Sequence, residues 1–199
     1  MSRILIVGED SLCCALGERL VASCLPGWRL AGPSIDTRGV TKLWPALPRY
    51  AQQAGRVQPV LCIADTDGQC AVDLLTRWLP TPAEKRMLLR LAVTEAESWV
   101  LADRDGAAQA LAIPLNRLPH RPDDEPDPKR LLLTLAARSK KREIRDEVVS
   151  SEDRNKPGSG YNFHLSAFVR SSWDARRAAQ ISPSLARAMK RIEDLNAIA

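Results

Sequence analysis

Histidine, paired thiols and long apolar runs are what this sequence has least of. Only His120 and His164 are present, and none of the five cysteines (Cys13, Cys14, Cys24, Cys62, Cys70) belongs to a C-x-x-C pair. A zinc site, which draws its ligands from such spacings, is therefore not expected. The cysteines are odd in number and most sit among apolar neighbours, where a free thiol behaves as a small hydrophobe, so no disulfide framework is expected either. No stretch reaches the roughly 18 uninterrupted apolar residues that a membrane span requires. The apolar run in MSRILIVGEDS is too short for a secretory signal. Together these absences predict a cytoplasmic protein. Phosphate-cradling glycine loops are missing too: neither GxGxxG nor GxxxxGK followed by Ser or Thr occurs.

What is present suffices for a core. With 199 residues, 45% of them apolar and 27% charged, the chain suits one domain or one domain with a helical extension. The formal net charge of +5 is a mild bias, but it is unevenly placed. Lys129, Arg130, Arg138, Lys140, Lys141, Arg142 and Arg145 form one group, and Arg170, Arg176, Arg177, Arg187, Lys190 and Arg191 another. The acids Asp123-Asp124-Glu125-Pro126-Asp127 precede them and read as an exposed linker. The expected organisation is an α/β domain over 1–112, an acidic, proline-rich linker over 113–127 and a basic helical region over 128–199.

Strand and helix signals alternate in the first half. Strands are expected at Arg3 to Val7, weakly at Trp28 to Ile35, at Val57 to Ala64 and at Leu88 to Val93. Between them come helices from Ser11, read as its cap, to about Ser23, from Thr41 to Ala54 with Pro45 and Pro48 in an early turn, and from Cys70 to Leu79. The last strand runs into a helix from Thr94 to Ala102. Helices follow at Arg104 to Leu111, Pro128 to Ser139, Glu143 to Val149, Tyr161 to Arg170 and Ser182 to Leu195, with residues 155–160 (NKPGSG) as a flexible joint. Alternating strands and helices imply a parallel sheet flanked by helices.

Such a sheet collects ligands at the carboxyl ends of its strands. Acids stand at three of those ends: Glu9-Asp10 after the first strand, Asp65 and Asp67 after the third, Glu95 and Glu97 after the fourth. On an extended chain Asp65 and Asp67 would face one side and Thr66 the other. An all-oxygen donor set without histidine or thiolate suits Mg²⁺ or Mn²⁺. Each cluster also has a plainer reading. Asp65-Thr66-Asp67-Gly68 is ordinary turn chemistry, Glu9 favours a helix start, and Glu95 or Glu97 is a first-turn acid with its neighbour facing solvent. Trp99 reads as core and His164 as structural or exposed.

The Gly-Glu after the first strand, the D-x-D after the third and the acid-rich turn after the fourth resemble the TOPRIM domain of topoisomerases, primases and nucleases. Residues 92–103 (AVTEAESWVLAD) are similar to a segment of the TOPRIM-like, RloB-type proteins found beside AAA-type ATPases in bacterial defence loci, and OLD-family nucleases share the logic. The resemblance covers residues 3 to about 111. It implies a TOPRIM-like (Rossmannoid) fold and a Mg²⁺-dependent nuclease (Mn²⁺ serving as well) acting on DNA or RNA with an AAA-type ATPase partner in anti-phage defence. By the same resemblance Glu9 is an acid–base group or a metal ligand, Asp65 and Asp67 are the metal pair, and Glu95 or Glu97 is the further acid. TOPRIM sequences usually read hydrophobic-Glu-Gly, whereas here the order is Val7-Gly8-Glu9. Neither Tyr50 nor Tyr161 is placed for a topoisomerase. Arg38 and Lys42 are expected to position a phosphate, and Lys140, Lys141 and Arg142 to track a nucleic-acid backbone. Two other readings stay open: a catalytically degenerate module that binds nucleic acid or an ATPase, and a flavodoxin-like small-molecule binder. A homodimer is compatible with all of them.

Overall fold

Alternation of side chains along one six-residue strand sets the two layers of the molecule. A computed structural model describes residues 2–79, 82 and 84–197. Strand β1 (Arg3–Gly8) turns Ile4 and Ile6 into one apolar cluster and Leu5 and Val7 into another, on the opposite face of the sheet. Its neighbours are all parallel: β4 (Val60–Asp65) on one side, the two-residue β2 (Arg29–Leu30) and β3 (Ile35–Asp36) on the other. Strand β5 (Met87–Ala92) pairs with β4 and completes the order β2-β1-β4-β5, with β3 beside the far end of β1. The expected fold class, a parallel sheet flanked by helices, is what forms.

Helix α1 (Ser11–Cys24) covers the first face, and α2 (Val40–Arg56) and α3 (Ala71–Trp78) cover the second. Three local expectations are corrected. Asp10, not Ser11, caps α1, its Oδ1 accepting the Cys13 N–H at 2.8 Å. Pro45 and Pro48 lie inside α2 rather than in its first turn; both are exposed, so water can take the carbonyls they leave free. The weak second strand breaks into β2 and β3 because Gly32 and Pro33 interrupt it.

The chain then continues through α4 (Ala96–Ala102), α5 (Arg104–Leu111), α6 (Pro128–Ala136), α7 (Arg142–Val148), α8 (Tyr161–Ser171), α9 (Ala175–Ala179) and α10 (Pro183–Glu193). These helices are not an appendage. Leu132, Leu165, Trp173, Leu185 and Ile192 belong to the same buried cluster as Ile4, Ile6 and Leu16. The segment 113–127, expected as an exposed linker, is tied down: Leu118 is buried, and Asp123 accepts from the Ser182 hydroxyl at 2.6 Å and the Ser184 N–H at 2.8 Å. The expected flexible joint is also a packed turn. Val149 and Pro157 form an antiparallel bridge, and a side chain at Gly158 would run into the Glu147 carbonyl. Trp99 is core as expected, its indole N–H donating to Ser184 Oγ at 2.8 Å, and Trp173 donates to the Trp99 carbonyl at 3.1 Å. Asp103, fully buried, accepts from Arg177 Nε and Nη2 at 2.7 and 2.8 Å and from the Asp174 N–H at 2.8 Å, so it clamps α9 to the end of α4. Among the described residues no helix is long and apolar enough to cross a membrane.

Gly17 shows how tightly α1 seats on β1: a Cβ there would stand 2.6 Å from Ile6 Cγ2 and 3.4 Å from Ile63 Cδ1. Alanine at a free helical position would gain up to about 1 kcal/mol over glycine. Here overpacking wins, and Gly17→Ala is expected to lower unfolding free energy by about 1–3 kcal/mol in urea titrations; a stabilised variant would contradict this packing.

Candidate active site

Three loops meet at the carboxyl rim of the sheet, each built to let backbone approach closely. Gly8 ends β1 where a Cβ would stand 2.6 Å from both the Asp10 carbonyl and the Cys14 nitrogen, so only glycine lets α1 begin so near the strand. Glu9 prolongs the pairing, its N–H donating to the Ile63 carbonyl at 2.9 Å, and its carboxylate accepts the Asp65 N–H at 3.2 Å. The turn after β3 folds over the same end: Thr37 and Gly39 donate their N–H groups to the carbonyls of Gly8 and Glu9 at 3.0 and 2.8 Å. Arg38, at φ 58°, and Lys42 are exposed on this turn and the start of α2.

The end of β4 corrects one expectation. Asp65 and Asp67 do not share a face, because the strand stops at Asp65 and Asp67 enters a turn at φ 48°. Asp65 is largely buried, its Oδ1 accepting the Ala96 N–H at 2.8 Å, whereas Asp67 is exposed and approaches Glu9 instead. Thr66, expected to point away, is the buried member; its hydroxyl oxygen accepts the Thr94 N–H at 2.8 Å, while the Asp67 N–H donates to the Thr94 carbonyl at 2.9 Å. These bonds hold Thr94 at φ 61°, a conformation that costs a β-branched residue of the order of 1–3 kcal/mol.

After β5 the two glutamates diverge, and neither is fully solvent-facing. Glu95 accepts the Lys129 N–H of α6 at 2.8 Å. Glu97, only 2% exposed, accepts the Tyr161 hydroxyl at 2.6 Å and lies 3.6 Å from Lys129 Nζ. Burial, then the charges of Glu97, Glu9 and Asp10, push the Asp65 carboxyl up to about 9, with Lys129 only partly opposing them. Glu9 is raised by burial and by Asp67 and Asp10, against the amide hydrogen bonds it accepts. Glu97 is raised by burial despite Lys129 and Tyr161. Burial acts to lower Lys129, but Glu97, Glu95, Asp65 and Asp10 outweigh it and hold the ammonium firmly charged.

Glu9, Asp65 and Glu97 are therefore brought together, Asp67 lies at the edge beside Glu9, and Glu95 braces α6. Lys140, Lys141 and Arg142 are not at the rim: they are exposed beyond the opposite end of α6, roughly 10 Å of helix rise from Lys129. Of the distal cations, Arg170 is bound to Glu18 at 2.7 Å and Arg177 to Asp103. His164 pairs with Glu147 at 2.7 Å, a structural contact as expected. Sequence reasoning missed Lys129 and Tyr161. Lys129 had a readable signal, since a cation in the first turn of a helix opposes the dipole and calls for nearby acids. Tyr161 had none.

The donor chemistry at the rim, hard oxygens on a buried, charge-crowded carboxylate group, fits a divalent cation. The resting arrangement is not a closed cage: among the described residues no three acids, histidines or cysteines stand in ligating positions, and Lys129 supplies positive charge inside the cluster. In comparisons with known proteins, no family model, curated protein or solved structure matches the chain.

Because the folded Asp65 value lies above the unfolded value of 3.8, folding takes up a proton between pH 3.8 and about 9, and stability falls as pH rises through that window. Asp65→Asn keeps an oxygen for the Ala96 N–H and removes the charge. Its melting temperature is expected to exceed wild type at pH 8 and to converge with it near pH 4; an Asn variant less stable at pH 8 would contradict the crowding of acids.

Proposed function

We propose that the chain is a divalent-metal-dependent phosphodiester hydrolase of TOPRIM-like type that acts on nucleic acid. The observation that carries the reading is the convergence of Glu9, Asp65 and Glu97, from three separate strand ends, in one partly buried group. Glu9, Asp65, Asp67 and Glu97 are the residues that would hold Mg²⁺ or Mn²⁺. Such an ion, when bound, neutralises charge on the phosphate and makes water a usable nucleophile near neutral pH. The remaining roles fall to the protein. Arg38 and Lys42, exposed on the turn after β3 and in the first turn of α2, orient a phosphate. Tyr161 and Lys129 fix Glu97, so its carboxylate is positioned before any ligand arrives. The resemblance over residues 92–103 extends this reading to a cytoplasmic protein, able to dimerise, that works with an AAA-type ATPase in anti-phage defence, with the partner restraining an otherwise harmful activity.

A second reading is favoured by one specific observation, the Lys129 ammonium inside the acid cluster. If it permanently takes the place of an ion, the chain is a catalytically degenerate module that binds nucleic acid or an ATPase.

Incubation with plasmid, single-stranded DNA and tRNA in Mg²⁺, Mn²⁺ or EDTA separates the two. Cleavage that needs the ion and falls roughly a hundredfold or more in Asp65→Ala/Asp67→Ala supports the hydrolase. Cleavage that survives the double substitution excludes this site, and a silent protein that still shifts labelled nucleic acid or copurifies with an ATPase supports the degenerate module. Full cleavage by the isolated chain removes the case for restraint by a partner.

A further inference from the structure

A groove of about 500 Å³ lies beside β5, between α3 and α10, and has the size of a small-molecule site. Its floor is closed: Leu89 is fully buried and Leu91 nearly so, and no open strand edge runs along it. Two unlike walls line it. On α3, Ala71, Val72 and Leu75 make an apolar wall that Val93 extends, and Val72 is 68% exposed. On α10, Arg187, Lys190 and Arg191 stand three and four residues apart, so they share one face of the helix, where like charges repel. Asp194 is the single acid in the lining, 3.6 Å from Lys190 Nζ and 3.8 Å from Arg191 Nη1. Arg187 is exposed and has no side-chain partner among the described residues.

The helix dipole accounts for Lys190 and Arg191, which lie in the last turn of α10, but not for Arg90. Arg90 comes from β5 and lines the same groove, half-buried, and its Nε is shielded from solvent with no hydrogen-bond partner among the described residues. A buried guanidinium donor left unpaired is costly, and a second cation nearby adds to the cost. Burial, then the Arg191 charge, pushes its pKa down to about 10, so it remains charged near neutral pH. An anion that reaches Arg90 and Arg191 together would satisfy the donor and offset both charges.

We propose that this groove binds a phosphate monoester carried on an apolar body of small-molecule size. Phosphate oxygens accept from Arg90 Nε and from the forks of Arg187 and Arg191, whose planar geometry matches them, and the hydrocarbon lies on Val72, Leu75 and Val93. A monoester is close to dianionic at neutral pH, which suits a lining of four cations and one acid. Other occupants fit less well. A nucleic acid offers only singly charged diesters, and no aromatic residue lines the groove to stack a base. An extended acidic peptide finds no open strand edge with which to pair its backbone. None of Glu9, Asp65, Asp67 and Glu97 lines the groove, so the site stands whether or not the chain is a hydrolase.

The probe is naphthyl phosphate, titrated calorimetrically into the full chain at low salt beside inorganic phosphate, naphthol and a short single-stranded oligonucleotide. Naphthyl phosphate should bind roughly tenfold or more tighter than inorganic phosphate or naphthol, because each of those meets only one wall. Arg187→Glu/Arg191→Glu, at exposed positions, should weaken it roughly tenfold or more and leave the melting curve unchanged. Arg90→Met keeps the aliphatic stem and removes the unpaired donor; it should weaken binding as much without lowering the melting temperature, whereas an arginine kept for folding would melt lower when lost. Val72→Gln should narrow the gap between naphthyl phosphate and inorganic phosphate. Several outcomes would overturn the proposal: no binding, inorganic phosphate or naphthol binding as tightly as the ester, affinity indifferent to the arginine substitutions, a lowered melting temperature in Arg90→Met, or a gap that Val72→Gln leaves unchanged. So would an oligonucleotide that displaces naphthyl phosphate and binds more tightly, or a preference for phosphatidylcholine vesicles containing phosphatidic acid, which would place the phosphate on a membrane.

Discussion

Like charges packed close together out of water are the constraint around which this molecule is arranged. Asp65 is surrounded by Glu97, Glu9 and Asp10, and Lys129 is the cation that answers them. Burying carboxylates is costly unless each finds donors, and the rim supplies them from backbone: the Asp65 N–H to Glu9, the Ala96 N–H to Asp65, the Lys129 N–H to Glu95. Even so Glu9, Asp65 and Glu97 remain shifted upward. The fold tolerates a crowd of charge that a merely structural turn would have no reason to assemble, which is the physical ground for reading the rim as a site.

Everything else follows from delivering those groups. The parallel order places the ends of β1, β4 and β5 side by side, and the loops after β3, β4 and β5 contain three non-glycine residues with left-handed backbone, Arg38, Asp67 and Thr94. Strain of this kind persists only where surrounding bonds impose it, and the reciprocal bonds between residues 66–67 and Thr94 do so. The carboxyl-terminal helices finish the arrangement. Lys129 comes from α6 and Tyr161 from α8, both anchored in the same core as β1. A chain cut near residue 112 would keep the acids and lose the groups that hold Glu97 and neutralise its neighbours.

Much of this was legible in the sequence, for identifiable reasons. The strands at β1, β4 and β5 are short β-branched and leucine-rich runs ending in acids, and strand ends of a parallel sheet converge by geometry alone, so the meeting of Glu9, Asp65 and Glu97 could be foreseen. What failed was local. The period-two rule put Asp65 and Asp67 on one face, but it holds only while the chain stays extended, and Asp67 has already turned. The acidic stretch before α6 looked like a solvated linker, yet the half-buried Asp123 serves as a hydrogen-bond acceptor at the start of α10. Charge counts along the chain also misled: Arg170 and Arg177 are paired within the fold, while Arg187, Lys190 and Arg191 line a groove beside β5 because α10 packs there, a fact of tertiary structure that no linear pattern carries.

The central claim is that Asp65 is driven toward its neutral form by burial and then by neighbouring carboxylates, and is released by a divalent cation. Carbon-13 NMR of the Asp65 carboxyl, titrated from pH 3 to pH 10 with and without Mg²⁺, tests it most directly. The account predicts titration near pH 9 in the metal-free protein and a return to the ordinary carboxylate range when Mg²⁺ is added. Titration near 4 without metal, or a profile that Mg²⁺ leaves untouched, would contradict it.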